Sequence, residues 1–176
     1  DMASIERIYT DCPAIYREIN DYMPKLCQDG LLKFYKDDAL SLSTLYHIRG
    51  NMDELLNSKV WLPSGANIII ETLETLTVID VNSGKNQSRK EDTILRINLE
   101  AAREIARQLK LRNISGMIIV DFINLKSQEQ KEELIRCIRQ ELKKDTVPAQ
   151  FIDITRLGLV ELTRKKVYKS LREILQ

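Results

Sequence analysis

The amino-acid sequence predicts an α/β (α+β) fold in which helices flank a mixed β-sheet. Two runs rich in Val, Ile and Thr, residues 67–71 and 75–81, have the composition that strands prefer. Residues 98–111 and 127–144 each place apolar side chains on one stripe at helical spacing. From residue 60 onward strands and helices therefore follow one another in an order that favours helices layered on a sheet.

The first part of the chain has sequence patterns that predict shorter strands and helices. Residues 4–10 and 31–35 have the composition of short strands. Pro13 can open a helix at its first turn, and Pro24 should end or kink that helix. A further helix is predicted over 42–57, with these apolar side chains directed inward: Leu45, Ile48, Met52, Leu55 and Leu56.

A change of composition near Val60 predicts two domains, residues 1–57 and 58–176. The second domain opens with Trp-Leu-Pro-Ser-Gly over 61–65, which is typical of a turn. We expect the lone Trp61 to be packed among other side chains rather than stacked on a base.

The remaining elements of the second domain follow from their apolar patterns. Asn98 is a candidate N-cap for the helix over 98–111. The continuous apolar run over 116–122 predicts a strand that is buried on both faces. After the helix over 127–144, the sequence predicts further strands over 150–154 and 158–163 and a short basic helix over 169–175.

The composition excludes several classes of protein. No apolar run approaches the roughly 20 residues of a membrane span, and no secretory signal is recognisable. Three widely spaced cysteines, with no Cys-x-x-Cys pair, are typical of reduced thiols rather than of a disulfide scaffold or a zinc site. The expected compartment is therefore the cytoplasm.

The charge distribution is only weak evidence of a nucleic-acid partner. The net charge of +1, from 27 basic and 26 acidic residues, does not by itself indicate a nucleic-acid partner. The C-terminal segment is more basic, and it supplies three candidate RNA contacts: Arg156, Arg164 and Lys165. A solvated surface is the alternative explanation of such a run.

Two aspartates follow apolar β-runs at equivalent places, Asp80 near the end of one strand and Asp121 at the end of another. A carboxylate at the edge of a buried sheet is costly unless it is paired or bound to a cation, and neighbouring strands would bring both groups to one site. Mg²⁺ suits such a site, because it prefers oxygen ligands and commonly takes one or two carboxylates. Asn82 points to the same side as Asp80, and Lys85 could reach a phosphate. The residues alone leave open that each Asp caps a turn or pairs with an Arg.

Four collinear motifs in the second domain are long enough to be specific. They are Trp61-Leu-Pro-Ser-Gly, Glu74-Thr-Leu-Thr-Val-Ile-Asp80-Val-Asn-Ser-Gly-Lys85, the stretch 93–123 that ends in Gly116-Met-Ile-Ile-Val-Asp-Phe-Ile, and Leu157-Gly-Leu-Val-Glu-Leu-Thr-Arg-Lys. Together they closely resemble the catalytic core of the ribonuclease E/G family. The likeness runs from about residue 60 to the end, and residues 1–57 look like the segment that precedes this core.

The resemblance implies a DNase I-like mixed sheet with flanking helices for the second domain, preceded by a partial RNase H-like segment. It also implies that Asp80 and Asp121 bind a catalytic Mg²⁺, that Asn82 supports them, and that Lys85 contacts phosphate. The implied reaction is hydrolysis within single-stranded, often A/U-rich RNA, which leaves 5′-phosphate and 3′-hydroxyl ends. The implied setting is rRNA processing and mRNA decay, in a full-length enzyme that is a homo-oligomer.

Several parts of the family pattern are missing from the sequence. We see no OB-fold RNA-binding domain, no segment that senses the RNA 5′ end, and no paired cysteines of the kind that link protomers through zinc. The chain is therefore expected to be an excised fragment. The family usually has a second acid where this chain has Asn124.

Three functions remain open on the sequence. The first is the metal-dependent endoribonuclease. The second is an RNA-binding and assembly fragment without turnover of its own, which the basic C-terminal segment would suit. The third is a different metal phosphoesterase that acts on DNA or small molecules, and only the family resemblance argues against it.

Overall fold

A computed structural model of the chain describes residues 5–84 and 91–175. The chain divides into two compact units, Asp1–Glu54 and Leu55–Gln176, close to the boundary that composition predicts. The described residues form seven helices and two sheets, which confirms the α/β class and the mixed sheet. The RNase H-like and DNase I-like assignments rest on the resemblance and stay predictions.

The first unit contains two short parallel strands and several short helices. In chain order these elements are β1 (Ile8–Thr10), α1 (Pro13–Tyr22), α2 (Pro24–Gln28), β2 (Leu32–Phe34), α3 (Leu42–Leu45) and α4 (Ile48–Leu56), whose last two residues belong to the second unit. Pro13 stands at the start of α1 and Pro24 at the start of α2, so both proline predictions are confirmed. Its buried apolar side chains among the described residues are Leu26 and Leu32, so this unit has a small core.

The single helix predicted over 42–57 is wrong. The helix is interrupted between α3 and α4, where His47 adopts a positive φ of 50° that a regular helix does not allow. Because the helix is interrupted, the apolar side chains predicted to face inward do not lie along one face of a single helix. Leu45 and Ile48 are accordingly 48% and 41% exposed, instead of buried.

The second unit is built on a six-stranded sheet with the strand order β3-β4-β5-β6-β8-β7. Its strands are β3 (Lys59–Trp61), β4 (Asn67–Thr72), β5 (Leu76–Asn82), β6 (Gly116–Asp121), β7 (Ala149–Ile154) and β8 (Val160–Arg164). The central pair, β5 and β6, is parallel, and the other neighbours are antiparallel. The predicted strands are therefore confirmed, whereas β3 was not predicted.

Two long helices and one short helix complete this unit: α5 (Glu91–Leu111), α6 (Gln128–Leu142) and α7 (Leu171–Leu175). The core lies between the sheet and the first two of these helices, and it joins strand residues such as Ile79 and Ile118 to α5 residues such as Ile97. Because α5 begins seven residues before Asn98, the prediction that Asn98 caps the helix is wrong. None of the described helices combines the length and the apolar composition that crossing a bilayer requires.

The sheet buries one face much more completely than the other. On β6, Ile118 and Val120 are fully buried, whereas Met117 on the opposite face is 57% exposed. We call the more exposed surface, which carries Asp80, Met117 and Asp121, the open face. The prediction that β6 is buried on both faces is therefore wrong, because α5 and α6 cover only one face.

Trp61 also departs from the prediction made for it. It ends β3, which is an edge strand, and its side chain is 64% exposed instead of packed. The ring has one described partner, the ammonium group of Lys59, whose Nζ lies 4.1 Å from the ring centroid. The expectation of a packed tryptophan is wrong, because an edge strand offers a side chain fewer neighbours than a central strand does.

Candidate active site

The two aspartates singled out by the sequence lie on neighbouring strands. Asp80 and Asp121 are register partners in the parallel pair of β5 and β6. Partners in a parallel pair point to the same face, and neighbouring strands are about 4.8 Å apart, so both carboxylates project side by side from the open face. Asp80 is half-buried, while Asp121 is exposed. The condition on which the predicted site depended, that the two strands are neighbours, is met.

Asn82 supports the first of these carboxylates directly. Its Nδ2 donates a hydrogen bond of 2.6 Å to Oδ2 of Asp80. The two residues are two positions apart on β5, so their side chains share the open face. The bond restrains the carboxylate of Asp80 and leaves its other oxygen for a second partner, which is the arrangement expected of a supported metal ligand.

The donor set fits a hard cation. Two carboxylates on adjacent strands supply oxygen ligands at one edge of the sheet, and Mg²⁺ commonly takes one or two carboxylates while it retains several waters. Within residues 5–84 and 91–175, no group of three or more His, Cys, Asp or Glu side chains is placed to hold a metal. A site made of two carboxylates is unlike a structural zinc site, which needs four ligands from the protein. Asp80 and Asp121 are the residues that could hold the cation.

Asn98 holds the chain that follows Asp121, a positioning role that the sequence prediction missed. Its side chain is fully buried on α5, where Nδ2 donates to the backbone O of Ile123 at 2.7 Å and Oδ1 accepts from the backbone N of Ile123 at 3.1 Å. Because Ile123 lies two residues after Asp121, the pair of bonds fixes the chain where it leaves β6. A polar residue within an apolar helical stripe was the available signal, but the prediction that the helix begins at residue 98 made Asn98 look like a cap.

The loop that follows β5 also makes a tight contact. Gly84 has a positive φ of 64°, and a Cβ at this position would lie 2.2 Å from the backbone O of Gly65. A side chain at 84 therefore has neither a favourable backbone conformation nor space. The close approach anchors the end of the Asp80–Asn82 segment against the turn that precedes β4.

The predicted RNA contacts are distributed over both ends of the sheet. Arg156 is exposed in the turn between β7 and β8, and because Val160 pairs with Val120, this turn lies at the same end of the sheet as Asp121. Lys165 is also exposed, but it follows the opposite end of β8. Lys85 lies outside the described residues.

Arg164 has internal partners. Its side chain is buried, Nε donates to Oδ2 of Asp145 at 2.8 Å, and Nη1 donates to Oδ1 of Asn113 and the backbone O of Ile114. Burial would raise the pKa of Asp145, but hydrogen bonds from Arg164 and from the backbone N of Val147 outweigh it and hold that pKa below its usual value. These contacts favour a structural role for Arg164 over the RNA contact predicted from its charge.

Comparison with known proteins places these features in a family. The model of the ribonuclease E/G family matches residues 2–167. The chain is 40% identical to ribonuclease E of Synechocystis sp. over 98% of its own length and 26% of that protein. It is 33% identical to ribonuclease G of Salmonella typhimurium over 98% of its own length and 36% of the relative. A chloroplastic ribonuclease E/G-like protein of Arabidopsis thaliana is 34% identical over 94% of the chain and 17% of that protein.

The chain thus spans about a third or less of the length of these relatives. The family match covers nearly the whole chain, including both aspartates, Asn82 and the strands that carry them. The chain belongs to the ribonuclease E/G family.

Proposed function

We propose that this chain carries the metal-dependent catalytic site of an endoribonuclease that hydrolyses single-stranded RNA. The observation that carries the proposal is the register partnership of Asp80 and Asp121 on neighbouring parallel strands. Membership of the ribonuclease E/G family supports RNA as the substrate class. We further propose that the natural setting is RNA processing and decay in the cytoplasm, in a whole enzyme that is a homo-oligomer.

The side chains have separate roles in this proposal. Asp80 and Asp121 hold Mg²⁺, and Asn82 keeps the carboxylate of Asp80 in the required orientation. Bound there, Mg²⁺ would supply the positive charge that polarises a phosphoryl oxygen and favours the attack of water. In the overall reaction the water oxygen bonds to phosphorus, the bond from phosphorus to the 3′ oxygen breaks, and that oxygen takes up a proton. The products therefore carry a 5′-phosphate and a 3′-hydroxyl.

The test is a cleavage assay with end-labelled oligonucleotides. Single-stranded RNA, duplex RNA and single-stranded DNA of one sequence are incubated with the chain in Mg²⁺ or in EDTA, and the product ends are identified enzymatically. We expect internal cleavage of the single-stranded RNA, in Mg²⁺ only, with 5′-phosphate ends. Equal cleavage of DNA would indicate a general phosphoesterase instead, and binding without cleavage in any divalent cation would indicate an RNA-binding module.

Two exposed basic residues offer a matched comparison of RNA contacts. Arg156 lies at the sheet end that carries the aspartates, and Lys165 lies at the other end. We expect Arg156→Ala to weaken RNA binding several-fold and to reduce the slope of log affinity against log salt by about 0.7, the value for one phosphate contact on a single strand. Lys165→Ala should leave both quantities nearly unchanged. The measurement is fluorescence anisotropy of labelled RNA at several salt concentrations, and equal effects of the two variants would contradict the predicted position of the RNA.

A further inference from the structure

Trp61 and Lys59 form an exposed pair at the edge of the sheet. Trp61 is the one tryptophan of the sequence, and 64% of its side chain is exposed. Lys59 holds its ammonium 4.1 Å from the ring centroid, so a cation already lies against one side of the indole. Single exposed aromatic residues are common on protein surfaces, so exposure alone does not indicate a function. The position of this pair relative to the two aspartates is the observation that matters.

The strand register places the pair on the open face. Lys59 is the partner of Ile69, and Ile69 is the partner of Asp80. Partners across antiparallel strands share a face, so Lys59 lies in the same cross-strand row as Asp80 and Asp121. In the next row, Trp61 is the partner of Asn67, which is the partner of Asn82.

The spacing of these rows suits a polynucleotide. Trp61 lies two strands away from Asn82, and Lys59 lies two strands away from Asp80, which corresponds to about 10 Å in each case. A short extended stretch of a single strand covers this distance. RNA whose scissile phosphate lies at the aspartates can therefore pass over β4 and reach the edge strand β3, where no further strand of the described sheet blocks its exit.

We propose that Trp61 stacks on an unpaired base next to the cleaved bond and that Lys59 binds a neighbouring phosphate. This inference rests on the proposed ribonuclease function and adds the residues that select a single strand. Every base has a flat aromatic face, so stacking on an indole tolerates all four bases. A base that remains inside a duplex cannot stack on the ring. The pair therefore favours unpaired RNA without favouring a particular sequence.

The lone tryptophan provides a direct measurement, because the intrinsic indole fluorescence of the chain reports on position 61 alone. The chain in EDTA is titrated with single-stranded RNA, with the same RNA carrying abasic positions, and with the duplex. We expect the single strand to quench the emission and the abasic strand and the duplex to quench it much less. The abasic strand retains the phosphates, so this arm separates stacking from electrostatic binding.

Variants separate the two residues. Trp61→Ala should weaken the binding of single-stranded RNA about tenfold, within the range that one stacked base contributes, and Trp61→Phe should retain part of the affinity. Lys59→Ala should lower the salt slope by about 0.7 while the RNA-induced quenching persists. The matched control is Met117→Ala, which removes an apolar side chain of similar exposure at the opposite end of the open face and should leave the affinity unchanged.

The outcomes distinguish this inference from the function on which it rests. Trp61 has no stacking role if saturating RNA leaves its emission unchanged, or if Trp61→Ala binds RNA as tightly as Met117→Ala. Either result can occur while the chain still cleaves RNA in Mg²⁺, and the ribonuclease proposal then stands alone. If the chain neither binds nor cleaves RNA, both proposals fail.

Discussion

Replacing Asp80 or Asp121 with Asn is expected to lower the rate of RNA cleavage by about a thousandfold or more, which corresponds to roughly 4 kcal/mol of transition-state stabilisation. Each substitution is nearly isosteric and should retain the pairing of β5 with β6. It removes half of the negative charge that the two residues offer to a cation. RNA binding should persist or become slightly tighter, because one carboxylate no longer repels the phosphates.

The measurement compares single-turnover cleavage in Mg²⁺ with RNA affinity in EDTA, and calorimetric titration with Mn²⁺ follows the metal site separately. Asp38→Asn is the matched control, because it removes the same charge from an exposed residue in the first unit. Cleavage at the normal rate by either Asp80→Asn or Asp121→Asn would remove the basis of the proposed site. Loss of RNA binding together with cleavage would instead indicate that the variant disrupts the sheet.

Replacing Arg164 with Met is expected to destabilise the second unit by about 3–5 kcal/mol, because it leaves the buried carboxylate of Asp145 without the cation that is hydrogen-bonded to it. The side chains of the pair are only 3% and 5% exposed. Asp145 keeps its bond from the backbone N of Val147, which offsets a small part of the loss. The double variant Arg164→Met with Asp145→Asn should cost less than the two single changes together, since it removes both buried charges.

Urea unfolding at neutral pH measures these differences in the free energy of unfolding. Lys144→Met is the control, because Lys144 forms an exposed i,i+3 pair with Glu141 and should change stability by about 1 kcal/mol or less. The pH dependence gives a second check. The pKa of Asp145 is depressed by folding, so its contribution is present above the unfolded pKa of about 3.9 and is lost as the pH falls through the lower folded value. Equal stability of Arg164→Met and Lys144→Met would contradict the structural role of this pair.

The strands and their terminal aspartates were predictable from the sequence because their signals are local. The runs before Asp80 and Asp121 consist mainly of apolar residues that favour strands. An aspartate lies at or near the end of each run. Their register partnership is a tertiary fact, since a long crossover through α5 separates the two strands. The family resemblance supplied that expectation, which no local pattern could supply.

The outcomes at residues 116–122, Arg164 and Trp61 depend on packing that no local pattern contains. An apolar run such as 116–122 has the same composition whether one or both faces of its strand are covered. Arg164 belongs to a basic run, and only its partners, Asp145, Asn113 and Ile114, show that it points inward. Trp61 is apolar enough for a core, yet its strand lies at the edge of the sheet. Each outcome depends on which element lies beside the residue in the folded chain.

The register of β5 with β6 has a consequence for folding as well as for chemistry. Two like charges fixed on directly opposed positions oppose the pairing of the strands that carry them. The pairing of β5 with β6 is therefore weaker at the point where we propose that a cation binds, and a divalent ion that binds only the folded chain should strengthen it. A single Asp→Asn change would then make the apo chain more resistant to urea while it abolishes the response of that resistance to Mg²⁺.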